Sequence, residues 1–366
     1  MDNNISMTNL FDLTINKKTE KNFLKNVEKL LIDKDFVLGQ DVIHLENKIS
    51  QFLNTKYSVG VNSGTDALEL SLKAAGIKKN DRVIVPGFSF FATSESVLKL
   101  GAKPVFCDIS ISDLCINIES ILDNLDEKIK AIIPVHLFGN AANIIKIKKF
   151  QKNYDFCIIE DVAQAFGSTL DGKKLGSMGE FGCFSFYPTK NLGGFGDGGL
   201  ITTNIKKNEK ILKILRNHGQ TSTYIHERVG YNSRLDTIQA KILIEKLKNI
   251  DILLEKRIRN NNLYINNFQN SEKIKIHAQP NQPLNLFPIS FVDLNLNKKA
   301  KNALLKNSIQ FGRYYPKGLN ELPLGIKPSS FLPNVSWATQ NILTIPVGPN
   351  VKISDINKIS EILLKI

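Results

Sequence analysis

From about residue 56 to 205, short apolar runs alternate with segments whose apolar positions recur at helical spacing. The runs Val83–Pro86, Lys103–Asp108, Ala131–Val135 and Phe156–Glu160 have the length and composition of buried strands. Between the first run and the preceding turn, Thr65–Ala75 places Leu68, Leu72 and Ala75 on one helical face, and Gly76 can supply a left-handed C-terminal cap. Such alternation predicts an α/β fold with a mostly parallel sheet covered on both faces. After about residue 235 the pattern changes. Leu243, Leu247 and Ile250 form one stripe of a long helix starting near Asp236, with charges over the rest. The remainder is richer in Asn and Pro and reads as a smaller α/β unit ending in a helix over Asp355–Ile366. The predicted division is a large domain over 1–250 and a small C-terminal domain over 251–366, with the N-terminal segment packing near the latter.

Composition narrows the class. The 366 residues are 42% hydrophobic and 23% charged, which suits a soluble globule with a substantial core. No run approaches the ~18 apolar residues of a membrane helix, and the first residues lack a basic stretch followed by an apolar one, so neither membrane insertion nor export is expected. Cys107, Cys115, Cys157 and Cys183 show no CxxC spacing and sit mostly in apolar runs, which favours free thiols over zinc or disulfides and a cytoplasmic setting. The net charge of +13 invites a nucleic-acid reading, but only seven of the 48 basic residues are Arg and the lysines are dispersed rather than striped. No nucleic-acid partner is expected.

Three motifs carry candidate chemistry. In Val59–Leu68 an apolar run enters a Ser63-Gly64-Thr65 turn that opens a helix. Unpaired N–H groups at a helix start, flanked by hydroxyls, suit a phosphate, and simple helix capping explains the same residues without a ligand. In Cys157–Gln164 a buried strand ends in Glu160 and Asp161, at the sheet edge where open α/β folds bind ligands. Strand alternation keeps the two carboxylates from facing the same site. One of them beside a cationic ring would be held ionised; otherwise Asp161 caps a helix beginning at Val162. The third run, Phe184–Gly199, sets Lys190 after an aromatic strand and before five glycines in seven residues, with almost no neighbouring charge. A lysine in such a partly desolvated place loses its charge more readily and becomes a nucleophile toward carbonyls. A phosphate cradle, a carboxylate for a pyridinium nitrogen and a reactive lysine are together the requirements of pyridoxal phosphate. No metal site is read.

Taken together, VNSGTDALELSLKAAGI, VIVPGFSFFATSESVLKLGAKPVFCDI, PVHLFG, IIEDVAQAFGS, FSFYPTKNLGGFGDGG and VGYNSRLDTIQA resemble, in order and spacing, the DegT/DnrJ/EryC1/StrS group of sugar aminotransferases. The resemblance runs over nearly the whole chain. It implies the type I fold of pyridoxal-phosphate enzymes, with Lys190 as the lysine that links to the cofactor and carries protons, and Asp161 as the pyridinium partner. It places Gln164 near the phenolic oxygen and Ser63, Gly64, Thr65 and Ser185 at the phosphate. Phe90 falls where the family stacks an aromatic on the ring. Asn232 matches a residue reaching the phosphate from the neighbouring subunit, which implies a homodimer with shared sites. Arg234 is a candidate for the substrate's anionic part, with a structural ion pair to Asp236 as the alternative. Many relatives carry His before a Tyr-Pro where this chain has Tyr314, so Tyr314 and Tyr315 stand at the sugar side with a departure from the family pattern.

The implied reaction is ping-pong: glutamate passes its amino group to pyridoxal phosphate, giving pyridoxamine phosphate, and a nucleotide-diphosphate-linked keto sugar then accepts it, at C3 rather than C4 by the form of YNSRLD. Relatives with histidine in place of the lysine are dehydratases; Lys190 favours aminotransfer. A dehydratase and a non-catalytic regulatory member of the same fold are the alternatives.

Overall fold

The computed structural model describes residues 7–323 and 331–366. Its main sheet has seven strands: β1 (Tyr57–Val61), β2 (Arg82–Pro86), β3 (Lys103–Cys107), β4 (Ile129–Ile132), β5 (Cys157–Asp161), β6 (Phe181–Ser185) and β7 (Gly199–Thr203). They lie in the order β1-β7-β6-β5-β4-β2-β3. The pairs β2–β3, β2–β4, β4–β5 and β5–β6 are parallel, whereas β7 runs antiparallel to both neighbours. The carboxyl ends of the parallel strands therefore share one edge, and the site lies along it.

Alternation along each strand divides the apolar side chains between two faces. Val83, Val85, Ile159 and Cys183 join one buried cluster with Leu68, Leu70 and Leu72 of the helix Gly64–Ala74. Ile84, Ile158, Phe184 and Leu200 join the other, with Leu45 and Ile49 of the helix Gln40–Leu53 and Leu243 of the helix Thr237–Leu247. Gly76 follows the first of these helices with a φ of +83°, the left-handed conformation that its missing Cβ permits.

The long helix expected from Asp236 is two. Thr237–Leu247 ends at a break around Lys248 and Asn249, and Ile250–Phe268 follows. Nor do charges simply cover its outer side. Lys241 is buried in an ion pair with Asp41 at 2.6 Å, and buried Glu245 accepts from Asn22, Asn26 and Lys248. The helix Lys17–Asp33 packs against this face, which turns a predicted solvent side into an interior one.

A second sheet of three antiparallel strands, β8 (Ile274–Ile276), β9 (Phe287–Phe291) and β10 (Leu343–Ile345), has its own cluster around Tyr264, Phe268, Phe287 and Ile289. The last helix, Ile353–Leu364, closes that cluster through Ile356, Ile359 and Leu363. Residues 8–10 run beside residues 308–310, with the Thr8 N–H donating to the Ser308 carbonyl at 2.9 Å. Among the described residues no helix is long and apolar enough to cross a membrane, no cluster of potential metal ligands is present, and the four cysteines are free.

Candidate active site

At the carboxyl edge of the sheet lies a cavity of about 720 Å³, lined by ten of the sequence-predicted residues, among them Ser63, Asp161, Ser185 and Lys190. Three connections supply most of its wall. The β1 turn leads into the helix Gly64–Ala74, β5 ends at Asp161, and the loop between β6 and β7 carries Lys190.

At the first wall the capping reading of the Ser63 turn is observed, and it leaves the donors of the other reading unspent. Ser63 Oγ accepts the Asp66 N–H at 3.0 Å and caps the helix. The N–H groups of Gly64 and Thr65 remain without a partner among the described residues. A Cβ on Gly64 would sit 2.7 Å from Ser185 Cβ, so only glycine lets the helix start meet the end of β6. Two free N–H groups and the hydroxyls of Thr65 and Ser185 are a donor set for a phosphate dianion.

At the second wall the two carboxylates diverge. Glu160 points away from the cavity. Its oxygens accept from the N–H groups of Gly176 (2.8 Å), Met178 (2.8 Å) and Gly179 (2.6 Å), and from His136 Nε2 at 3.2 Å. His136 Nδ1 accepts the Ala142 N–H at 3.1 Å, so the ring proton of the neutral form lies on Nε2, facing Glu160. Burial pushes the Glu160 carboxyl up, but His136 and the backbone donors outweigh it and the net displacement is downward. Asp161 faces the cavity. No helix follows it: the chain turns instead, and Asp161 Oδ1 accepts the Ala163 N–H at 3.1 Å. Oδ2 accepts from Thr93 Oγ1 at 3.0 Å, whose hydroxyl also meets Ser89 Oγ at 2.9 Å. Burial holds this carboxyl above its ordinary range despite those donors and the positive charge of Lys190.

Lys190 has no hydrogen-bond partner for its amine among the described residues and forms no ion pair with Asp161 within 4.0 Å. Burial lowers its pKa, and the nearby Asp161 charge offsets this only in part. An amine so placed is easier to deprotonate than a surface lysine. Phe90 stands at the cavity wall with 60% of its surface exposed, and Tyr315 lies 6.4 Å from it between ring centroids. Gln164 Oε1 accepts the Phe138 N–H at 2.8 Å and Nε2 reaches Tyr315 Oη at 3.2 Å, which leaves one amide hydrogen without a partner among the described residues. Tyr314 lines the cavity beside Tyr315.

Asn232 and Arg234 do not line the cavity of their own chain. Their segment is fixed behind the phosphate cradle, where Ser233 Oγ donates to Asp66 Oδ2 at 2.6 Å. Asn232 is exposed, and Arg234 Nη1 donates to Asn217 Oδ1 at 3.2 Å rather than pairing with Asp236. Several site residues escaped the sequence reading. Thr93 was within reach, four residues from Ser89 in the SFFAT run, and Asp197 lay inside the glycine run after Lys190; Asn285 and Phe11, also cavity-lining, carried no local signal.

The donor set fits pyridoxal phosphate on the structure's own terms: a buried carboxylate lacking a cation, an unpaired amine, a flat exposed ring and unspent donors at a helix start converge on one cavity. Comparison with known proteins agrees. A "UDP-N-acetyl-3-dehydro-alpha-D-glucosamine 3-aminotransferase" of Acidithiobacillus ferrooxidans is 35% identical over 93% of this chain and 92% of its own. A "pleiotropic regulatory protein" of Geobacillus stearothermophilus is 33% identical over 95% of each. The crystal structure of NtdA from Bacillus subtilis with bound cofactor PMP superposes with a TM-score of 0.93 at 26% identity, covering 100% of this chain and 87% of that one. The profile of the DegT/DnrJ/EryC1/StrS aminotransferase family matches residues 17–364, and the chain belongs to that family.

Proposed function

We propose that the protein moves an amino group from glutamate to C3 of a nucleotide-diphosphate-linked keto sugar, for amino-sugar biosynthesis, in the cytoplasm. The observation that carries this is the meeting of Lys190, Asp161 and the Gly64–Ser185 contact in one cavity. The relative named as a 3-aminotransferase supports the choice of carbon.

When bound, pyridoxal phosphate supplies a carbonyl that amines can join and a ring that takes up electron density from the carbon being deprotonated. Gly64 and Thr65 N–H groups with the Thr65 and Ser185 hydroxyls would hold its phosphate, Phe90 would cover its ring and Gln164 would face its phenolic oxygen. Asp161 is the carboxylate available to a protonated ring nitrogen; a cation there would draw its raised pKa back down and keep it ionised. Lys190 Nζ, lowered in pKa by burial, is the base that takes and returns the proton. Tyr314 and Tyr315 border the space on the sugar side.

A second copy of the chain completes the site in this reading. The hairpin of residues 220–226 and its continuation expose Tyr224 (86%) and Val229 (82%), an apolar surface suited to burial against a partner. Asn232, exposed and outside its own cavity, would reach the partner's phosphate.

Products from a panel of nucleotide keto sugars with glutamate, identified by mass spectrometry, test the reaction; consumption of sugar without glutamate would point to dehydration instead. Lys190→Ala should abolish turnover, and borohydride should leave the cofactor's mass on the peptide holding Lys190. A purely regulatory protein would show neither. Co-expressed Asn232→Ala and Lys190→Ala subunits should regain about a quarter of wild-type activity, because random pairing leaves one intact site per mixed dimer. No recovery would remove Asn232 from a shared site.

A further inference from the structure

Asn285 lies in the connection between β8 and β9, far in sequence from Lys190, yet it is 2% exposed and borders the same cavity. Both its amide hydrogens serve the Lys190 loop. Nδ2 donates to the Thr189 carbonyl at 2.9 Å and to Asn191 Oδ1 at 3.3 Å, the residues on either side of the lysine. The backbone N–H of Asn285 donates to the Phe138 carbonyl at 2.8 Å, tying this segment to the loop after β4. Asn191 extends the lattice through Nδ2 to the carbonyls of Phe166 (3.2 Å) and Pro283 (2.7 Å). Behind them buried Arg257 donates from Nη1 to the Leu284 carbonyl at 2.9 Å, one residue from Asn285.

We propose that Asn285 is a positioning residue for Lys190: it grips both flanks of the lysine and so keeps the amine in the cavity, coupling the nucleophile to the C-terminal sheet. The proposal rests on the reading of Lys190 as the reacting amine. Asparagine is the residue the geometry asks for, since two donors must meet two oxygens. An aspartate would set lone pairs against the Thr189 carbonyl and Asn191 Oδ1, and a leucine would offer nothing. Loosening the grip lets water reach the amine. Because burial is what lowers the Lys190 pKa, hydration moves it upward.

The test uses cofactor-free protein. The rate of Lys190 acylation by acetic anhydride is followed against pH by peptide mass spectrometry, with exposed Lys358 as internal reference. In Asn285→Leu and Asn285→Ala the midpoint for Lys190 should rise by about one pH unit while that of Lys358 stays put. In the loaded enzyme kcat should fall about tenfold or more, with KM for both substrates within about twofold. An unmoved Lys190 midpoint in the variants, whatever their melting temperatures, would overturn the proposal. Should Asn285→Leu fail to fold, Asn285→Ala removes the same two donors without adding a charge and Asn191→Ala cuts the adjacent strut, and either reads the same midpoint. The acylation needs neither cofactor nor sugar, so it decides the role of Asn285 even if no keto sugar is aminated.

Discussion

Glu160 and Asp161 are consecutive carboxylates at the end of one strand, both buried, and they have opposite fates. Burial drives both pKa values up. Glu160 receives three backbone N–H groups and a histidine, and ends low; Asp161 receives one N–H and one hydroxyl, and ends high. What separates the acid that ends low from the one that ends high is the number of donors aimed at it, not its depth. The side of β5 holding Glu160 is fully satisfied, with the turn of residues 176–179 wrapped around it. The side holding Asp161 has fewer donors, and the positive charge of Lys190 offsets its burial only in part.

Exchanging the two acids for amides should separate activity from stability. Asp161→Asn is expected to lower kcat by about 10²-fold or more, because the ring nitrogen loses the charge that keeps it protonated, while leaving the melting temperature of the cofactor-free protein equal or higher. An unchanged kcat would end the functional half of the contrast. Glu160→Gln should do the reverse. Its single oxygen cannot accept four donors and its new N–H groups face others, so denaturant melts should show about 3 kcal/mol lost, with kcat per folded molecule nearly unchanged.

The pH dependence of stability sharpens the same contrast. Glu160, displaced below its usual 4.5, contributes stability above that pH and loses it as the pH falls through its lowered value. Asp161, displaced above 3.8, favours the folded state below that pH, and the advantage fades as the pH rises through its raised value. Melts of the two amide variants against pH should therefore diverge from wild type with opposite slopes; parallel curves would contradict the assignments. The smallest effect is expected from Thr93→Val, which removes one donor from Asp161. The acidic limb of the kcat–pH profile should move upward and kcat should change only a few-fold.

What could be read from sequence follows from how far each interaction reaches along the chain. Ser63-Gly64-Thr65, Glu160-Asp161 and Lys190 announce themselves because each sits where a strand ends, and a strand end is a local pattern. Alternation alone told the two acids apart in direction, although not which would be clamped, since the clamp comes from residues 176–179 and His136. The burial of Lys241 and Glu245 depended on partners from the other end of the chain, Asp41 for the lysine and Asn22 and Asn26 of the helix Lys17–Asp33 for the glutamate. Asn285 was illegible for the same reason: one asparagine in an asparagine-rich stretch has meaning only through Thr189 and Asn191, nearly a hundred residues earlier.

The reversed direction of β7 has a topological outcome. A parallel strand must carry its chain back to the opposite edge of the sheet before the next strand can begin. Between β6 and β7 the chain only turns back: Ser185 pairs with Gly199, and the segment between them leaves and re-enters at neighbouring positions. Lys190 thus rides on a loop moored at both feet to neighbouring strands and held between them by a helix, where Lys246 Nζ donates to the Gly193 carbonyl at 2.6 Å and Gln239 Oε1 accepts the Phe195 N–H at 2.8 Å.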